Sequence, residues 1–529
     1  MRLAGWSARF ETEAGAVSVE RAGAEGFATD EAAFEFSFDG EKGTVRIAAR
    51  VPLRVTACTV RFAHDFAPEE RVLLNGYQSW TDTAEESLWA VMRGLDGLPE
   101  WVVRRFAIDA MGDYRFTRYE ERPGCRHGFT YATVRAGDRV TLLASTGERR
   151  GFTLLRTDCD AGVVTFEPEA PARALAAGEE ATLASFVLEE GGEDAVFDAW
   201  FAALGVRPYG GDAPLVGYTS WYRHYEDIDE GAILYDVRAL QEGLAGVDLH
   251  GMGTVAFVDD GWCRKGDWLD VDAAAFPHGM TALAAEIART GARPGLWMAP
   301  FLAENDSRLV AEHPDWLLRG PDGEPVTTGS HWSGHVALDT QNPSVRAYVE
   351  ECVHTAVEDW GFSALKLDFL YAACMLPHAG MTRGELMADA VGLLRRAAGT
   401  DCVVLGCGVP LASAFGIFDY CRIGCDVGLA WDNVPPAKLL HRERTSTARS
   451  LANTVYRSPL DGRAFGCDPD VFFLRDDVRI SPARKRELLE ADSLFGSMLL
   501  TSDDMGAWGP EARADFQRAV DVLAERKRR

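Results

Sequence analysis

Nowhere does the chain string together the roughly 18 apolar residues that a membrane-crossing helix needs. Its opening, Met1-Arg2-Leu3-Ala4-Gly5-Trp6-Ser7, holds no apolar leader core before Glu11 and Glu13 arrive. Positive charge is scarce as well: 54 Lys and Arg stand against 81 Asp and Glu, a net charge of −27. Such a surface repels phosphate backbones and anionic lipid heads, so neither nucleic acid nor a membrane is expected as a partner. The basic tail Arg526-Lys527-Arg528-Arg529 is too short to reverse this. Also missing are a G-x-x-x-x-G-K-[ST] phosphate loop, an H-E-x-x-H pair and any C-x-x-C pair. His331 and His335 stand four apart, but His331-Trp332-Ser333-Gly334-His335 makes a poor helix and offers no third ligand; it reads as a loop on a pocket rim. The 11 cysteines are an odd set at irregular spacings, several inside apolar segments such as those of Cys402 and Cys421. Buried thiols in a reducing compartment explain them better than a disulfide framework, which points to the cytoplasm.

What the chain does contain is a change of rhythm. Its 529 residues exceed the roughly 100–200 of one domain. Before residue 210 come short alternating segments such as Gly43-Thr44-Val45-Arg46-Ile47 and Arg139-Val140-Thr141-Leu142-Leu143, broken by Gly, Asp and Pro. Period-two patterning at this density predicts an antiparallel β-sandwich. A helical stretch near 193–204 and the turn Tyr209-Gly210-Gly211-Asp212 then mark a boundary. Beyond it, strand-like segments at 215–221, 254–259, 293–299, 364–369, 402–407, 421–427, 471–474 and 497–502 alternate with helical patterns, among them 280–290, 345–360, 383–398 and 484–494. This alternation implies parallel strands with crossover helices, and eight units fit a (β/α)8 TIM barrel closed by a last helix at 510–526. The expected organisation is therefore multidomain, β followed by α/β: a sandwich with a linker helix over 1–210 and a barrel over 211–529.

In such a barrel the functional side chains gather at the C-terminal strand ends. The predicted second strand ends Asp259-Asp260-Gly261-Trp262, the fourth Lys366-Leu367-Asp368, and the sixth Arg422-Ile423-Gly424-Cys425-Asp426. Residues two apart on a strand share a face, which pairs Lys366 with Asp368 and Arg422 with Asp426. A cation beside each carboxylate is expected to lower its pKa and hold it ionised, which suits Asp368 as a nucleophile. Asp426 would need negative neighbours to serve as a proton donor. Two opposed carboxylates are what glycoside hydrolysis requires, one to attack the anomeric carbon and one to protonate the leaving oxygen. A lone Asp at a strand end is more often a cap than a catalyst, and Asp503-Asp504 at the end of the eighth strand are read that way.

Together these segments resemble the α-galactosidases of glycoside hydrolase family 36. The matching stretches run from Asn75-Gly76-Tyr77-Gln78-Ser79-Trp80 through Gly217-Tyr218-Thr219-Ser220-Trp221-Tyr222, Asp259-Asp260-Gly261-Trp262, Gly295-Leu296-Trp297, His313-Pro314-Asp315-Trp316, Lys366-Leu367-Asp368-Phe369 and Gly406-Cys407-Gly408 to Arg422-Ile423-Gly424-Cys425-Asp426. The resemblance implies Asp368 as nucleophile and Asp426 as general acid/base. It also implies Asp259 and Asp260 on galactose O4 and O6, Lys366 on O3 and O4, and Cys407 and Arg422 near O2. Trp297 would pack on the ring, Trp80 would come from the N-terminal domain, and Trp221 and Tyr222 would form the opposite wall. No metal or organic cofactor is implied, and the expected partner is a small α-galactoside; the sequence does not speak to oligomeric state. Three departures stand out. Cys467-Asp468-Pro469-Asp470 replaces Asn-Asp-Pro-Asp, Met298-Ala299-Pro300-Phe301 lacks a following Glu, and no C-terminal β-domain is expected after the last helix. Three other readings stay open: galactosyl transfer as in raffinose synthases, an α-N-acetylgalactosaminidase, and a non-catalytic galactoside-binding protein.

Overall fold

The structure, a computed structural model, describes residues 1–208, 214–432 and 441–528. The expected boundary at 210/211 and its turn lie outside the described residues. In the N-terminal part, Arg2–Thr12 pairs antiparallel with Gly15–Ala22 and Arg54–Ala63 in a six-stranded sheet. An eight-stranded sheet runs alongside and includes Ala32–Phe38, Lys42–Ala49 and Glu180–Gly191. Alternation along each strand sends Trp6, Phe62, Phe34 and Phe186 into one shared core. Trp6 meets Phe34 with ring centroids 5.3 Å apart, and Phe62 meets Phe186 edge to face at 5.3 Å, each pair spanning the two sheets. Contact of this kind across two antiparallel sheets makes a sandwich.

The helix Glu193–Leu204 leaves the second sheet and wedges against the rest of the molecule. Its Trp200 donates to the Ser145 carbonyl at 2.9 Å, and Phe201 packs on Phe415 at 5.2 Å. Next comes a curled, wholly parallel sheet. We number its strands β1 (Leu215–Thr219), β2 (Gly253–Val258), β3 (Arg293–Met298), β4 (Ala364–Leu367), β5 (Val403–Gly406), β6 (Tyr420–Arg422), β7 (Gly466–Asp468), β8 (Val471–Phe472) and β9 (Met498–Thr501), in the spatial order β7-β6-β5-β4-β3-β2-β1-β9-β8. The curl demands close packing: a methyl group on Gly217 of β1 would lie 2.1 Å from the Val255 carbonyl oxygen of β2, so only glycine fits.

Helices cover this sheet, and their starts are written locally. Thr382 and Glu385 form a reciprocal capping box ahead of Arg383–Ala398, and Ser481 caps Pro482–Phe495 with proline in its first turn. Two expectations need correction. The helix expected over 345–360 ends as an α-helix at His354 and continues as one π-turn, Thr355–Asp359. The seventh strand expected at 471–474 is instead two short pieces, β7 and β8, because Pro469 has no N–H to give a ladder and Asp470 takes φ 87°. Among the described residues no helix is long and apolar enough to cross a membrane.

Sandwich and barrel-like sheet are joined by one buried cation. Arg457 donates from Nε to Asn75 Oδ1 at 3.0 Å, from Nη1 to the Ser79 and Ile423 carbonyls at 2.5 and 2.8 Å, and from Nη2 to the Gln78 carbonyl at 3.2 Å. No carboxylate reaches it among the described residues, and burial pulls it down to about 10, still charged at neutral pH. Four acceptors therefore meet on a single side chain, and of these the Gln78 carbonyl also takes the Thr81 N–H. Arg457→Met is expected to cost at least about 3 kcal/mol, since each stranded buried acceptor costs roughly 1–3 kcal/mol. A urea midpoint within error of wild type would contradict that role.

Candidate active site

The strand ends converge on a cavity of about 260 Å³. Asp259 and Asp260, just past β2, enter it as neighbours held by different cations. Lys366 of β4 reaches Asp259 Oδ2 at 2.8 Å, and Thr219 of β1 donates to the same oxygen at 2.7 Å. Lys265 contacts Asp260 Oδ1 at 2.7 Å while the Trp332 indole donates to Oδ2 at 2.9 Å. All four charged groups are buried. Burial still pushes the Asp260 carboxyl up to about 7, Lys265 opposing it.

Asp368, one residue past β4, is buried on the cavity floor. Its Oδ2 accepts from the Trp297 indole at 3.0 Å and its Oδ1 from the Phe369 backbone N–H at 2.8 Å. Phe369 adopts φ 53°, a left-handed conformation costly for a bulky residue, and it is this twist that turns its N–H onto the neighbouring carboxylate. Parity correctly puts Lys366 and Asp368 on one face, but Lys366 spends its hydrogen bond on Asp259. The expected lowering of Asp368 is corrected: burial dominates and pushes it up, with Lys366 and the Trp297 hydrogen bond pulling the other way.

Asp426 stands opposite, with its side chain 42% exposed. Beneath it Arg422 is a fully engaged hub. Nη1 meets Asp426 Oδ1 at 3.0 Å, Nε meets Asp468 Oδ2 at 2.9 Å, and Nη2 meets Asp470 Oδ1 at 2.8 Å. The Tyr222 hydroxyl and the Val427 N–H close on the other Asp470 oxygen. Burial pushes Asp470 up to about 7, and Arg422 opposes the shift. The β7–β8 break is thus what delivers two carboxylates to one guanidinium.

Of the residues expected in the site, Trp80, Trp221, Asp259, Asp260, Trp297, Lys366, Asp368 and Asp426 line the cavity together. Tyr222, Cys407 and Arg422 stand behind that lining. Tyr222 is tied to Asp470, Arg422 is tied to three acids, and Cys407 Sγ accepts from the Trp80 indole at 3.2 Å. Gly408, at φ 57°, permits that approach, since a methyl group there would sit 2.9 Å from the Trp80 ring. Asp503 and Asp504 do cap backbone, Asp503 taking the Leu474 and Arg475 N–H groups and Asp504 that of Ala507. His224 pairs with Asp236. His335 hydrogen-bonds Thr328, and His331 lies on the cavity wall.

The 331–335 loop read as a pocket rim does bring His331 and Trp332 to the lining, whereas sequence reasoning missed Lys265, Met111, Glu226 and the 441–445 segment, all on the lining or in contact with it. Lys265 lies three residues past Trp262, a signal that could have been used; the others arrive from distant loops.

The family model of the melibiases matches residues 221–381. An α-galactosidase of Thermus thermophilus, solved with p-nitrophenyl α-D-galactopyranoside, superposes with a TM-score of 0.72 at 28% identity over 94% of both chains. The α-galactosidase AgaA of Geobacillus stearothermophilus is 27% identical over 157 residues, and α-galactosidase 2 of Pediococcus pentosaceus 30% identical over 128. Residues 221–381 thus carry a melibiase domain, and the relatives and structural neighbours found are α-galactosidases, among them members of glycoside hydrolase family 36. The matched stretches of the two sequence relatives span 28% and 22% of the present chain but only 20% and 17% of those relatives.

The hub generates a sharp expectation. Arg422→Met strands Asp468 and Asp470, which among the described residues no other cation meets, and breaking a buried ion pair this way costs about 3–5 kcal/mol. Without the cation, Asp470 binds a proton more readily in the folded state, so the variant's stability must fall with rising pH more steeply than wild type. Its deficit in urea midpoint is therefore expected to be larger at pH 8 than at pH 5. A deficit independent of pH would contradict the assignment.

Proposed function

We propose that this chain is a retaining, exo-acting α-galactosidase that removes terminal α-linked galactose from small oligosaccharides. The observation that carries the reading is the convergence, in one closed-ended cavity, of Asp368 and Asp426 with the cation-locked pair Asp259 and Asp260. The Thermus thermophilus relative, solved with an aryl α-galactoside and with stachyose, supports it.

The two catalytic carboxylates differ in the way their roles require. Asp368 is immobilised by two donors, which favour its charged form and aim its oxygens: the nucleophile. Its oxygen bonds to the anomeric carbon as the glycosidic C–O bond breaks, and the Asp426 carboxyl gives its proton to the departing oxygen. Water then attacks the same carbon and yields its proton to Asp426, while the ester bond to Asp368 breaks and both carboxyls return to their starting state. Asp426, half-exposed, can reload from solvent. Asp259 and Asp260 accept from the sugar hydroxyls O4 and O6, Lys366 donates to O3 and O4, and Trp297 packs on the ring. Acceptors held this rigidly penalise an epimer whose hydroxyl leaves them unpaired. Beside O2 the wall is filled by Cys407 and Trp80 in direct contact, with Arg422 behind, which favours galactose over N-acetylgalactosamine.

The same reading takes β7 and β8 as one interrupted strand, which closes a (β/α)8 barrel over 211–529 after a sandwich with its linker helix over 1–210. All 11 cysteines are unpaired, which accords with a reducing, cytoplasmic setting.

The test is a comparison of two leaving groups. Asp368→Ala is expected to lose at least about 10³-fold in kcat/KM on both p-nitrophenyl α-galactoside and raffinose. Asp426→Ala should lose about 10²–10⁴-fold on raffinose, whose sugar needs a proton to leave, and far less on the nitrophenolate. Wild type inert on both substrates, or equal losses for Asp426→Ala on both, would overturn the proposal.

A further inference from the structure

A second cavity, of about 410 Å³, opens beside the catalytic one and shares His441 with it. On a chain of net charge −27 its lining is unexpectedly basic: Arg93, Arg126, Arg442 and Arg449 face only Asp82 and Glu86. Arg449 is accounted for, with its Nε 3.3 Å from Asp82 and its Nη1 donating to the His441 and Arg442 carbonyls. The others are not. Arg126 is 6% exposed and spends one donor, Nη2, on the Val72 carbonyl at 3.0 Å, while its Nε finds no partner. Arg442 is 9% exposed; its Nη2 donates to the Asp82 carbonyl at 3.0 Å and its Nη1 finds no partner. Among the described residues no carboxylate pairs with Arg93, Arg126 or Arg442. Burial holds the Arg126 guanidinium below its ordinary value, with Glu86 opposing in part; burial works against Arg442 as well, but Tyr119, Asp113 and Glu443 outweigh it and hold that guanidinium above its ordinary value.

Buried guanidinium groups are ordinarily paired, and their planar forks match tetrahedral and planar oxyanions. We propose that this cavity binds a phosphate-type oxyanion, free or carried on a small sugar, held between Arg126, Arg442 and Arg93. The site is separate from the galactoside cavity but adjoins it. The 441–445 segment that supplies Arg442 to the anion also supplies His441, Glu443, Arg444 and Thr445 to the catalytic lining.

The experiment is calorimetric titration of the full chain with inorganic phosphate and with glucose 6-phosphate, at fixed ionic strength and against chloride. Glucose 6-phosphate is chosen because its sugar lacks the axial hydroxyl of galactose. Saturable binding of one anion per chain is expected, weakened at least tenfold in Arg126→Leu and in Arg93→Ala. Tighter binding of glucose 6-phosphate assigns the sugar-borne source, and tighter binding of inorganic phosphate the free one; either supports the site. Arg93 is exposed, so its variant keeps the test decisive if Arg126→Leu fails to fold. No saturable heat for either anion, or binding unchanged in the Arg93→Ala variant, would overturn the proposal. Because the readout is binding, a chain inert on every α-galactoside would leave it standing.

Discussion

The structure depends on neutralising a group of carboxylates that burial makes expensive. Asp259, Asp260, Asp368, Asp468 and Asp470 all lie inside the protein at one end of the parallel sheet. Taking such charges out of water costs several kcal/mol each unless cations and donors meet them. Three cations meet four of them, each placed by a different part of the parallel sheet: Lys366 from β4, Lys265 from the loop after β2, and Arg422 from β6, while Asp368 takes two N–H donors. Arg422 matters most because it meets Asp426, Asp468 and Asp470 through three separate nitrogens, a planar fork that a single ammonium does not offer. The break between β7 and β8, the left-handed Asp470 and the tie from Tyr222 exist around that one side chain.

The same constraint explains why the N-terminal sandwich is more than an appendage. It sends the 75–83 loop over the strand ends, clamped by Arg457, and Trp80 on that loop completes the wall above Cys407. Closing the cavity in this way excludes water and strengthens each interaction inside it. Three of the nine non-glycine residues with positive φ among the described residues lie in the same place: Phe369 and Trp332 donate to the acids Asp368 and Asp260, and Asp470 is itself one of the acids. Backbone energy stored there is recovered as fixed geometry.

Much of this was legible in the residues. Period-two and βα rhythms marked the sandwich and most of the parallel strands, because both faces of each element obey simple burial rules. Strand-end position marked Asp259, Asp260, Asp368 and Asp426. Partnership across the parallel sheet was not legible. Parity put Lys366 beside Asp368, yet a lysine stem reaches sideways past β3 to the end of β2 and finds Asp259. Arg422 read as a lining residue because nothing local announces that Asp468 and Asp470, more than forty residues on, fold back onto it. Lys265, and the bond from Trp332 to Asp260, were hidden for the same reason, since loop geometry follows from long-range packing rather than local pattern. Pro469 did carry a signal of the broken strand, and it stands in the middle of the seventh.

The account's central claim is a double displacement through Asp368, and stereochemistry addresses it most directly. Proton NMR of wild type turning over p-nitrophenyl α-galactoside, recorded before mutarotation equilibrates the sugar, reads the anomer first released. Two inversions at one carbon require α-galactose. If β-galactose appears first, water has attacked directly, Asp368 is no covalent nucleophile, and the division of labour between the two carboxylates argued here is wrong.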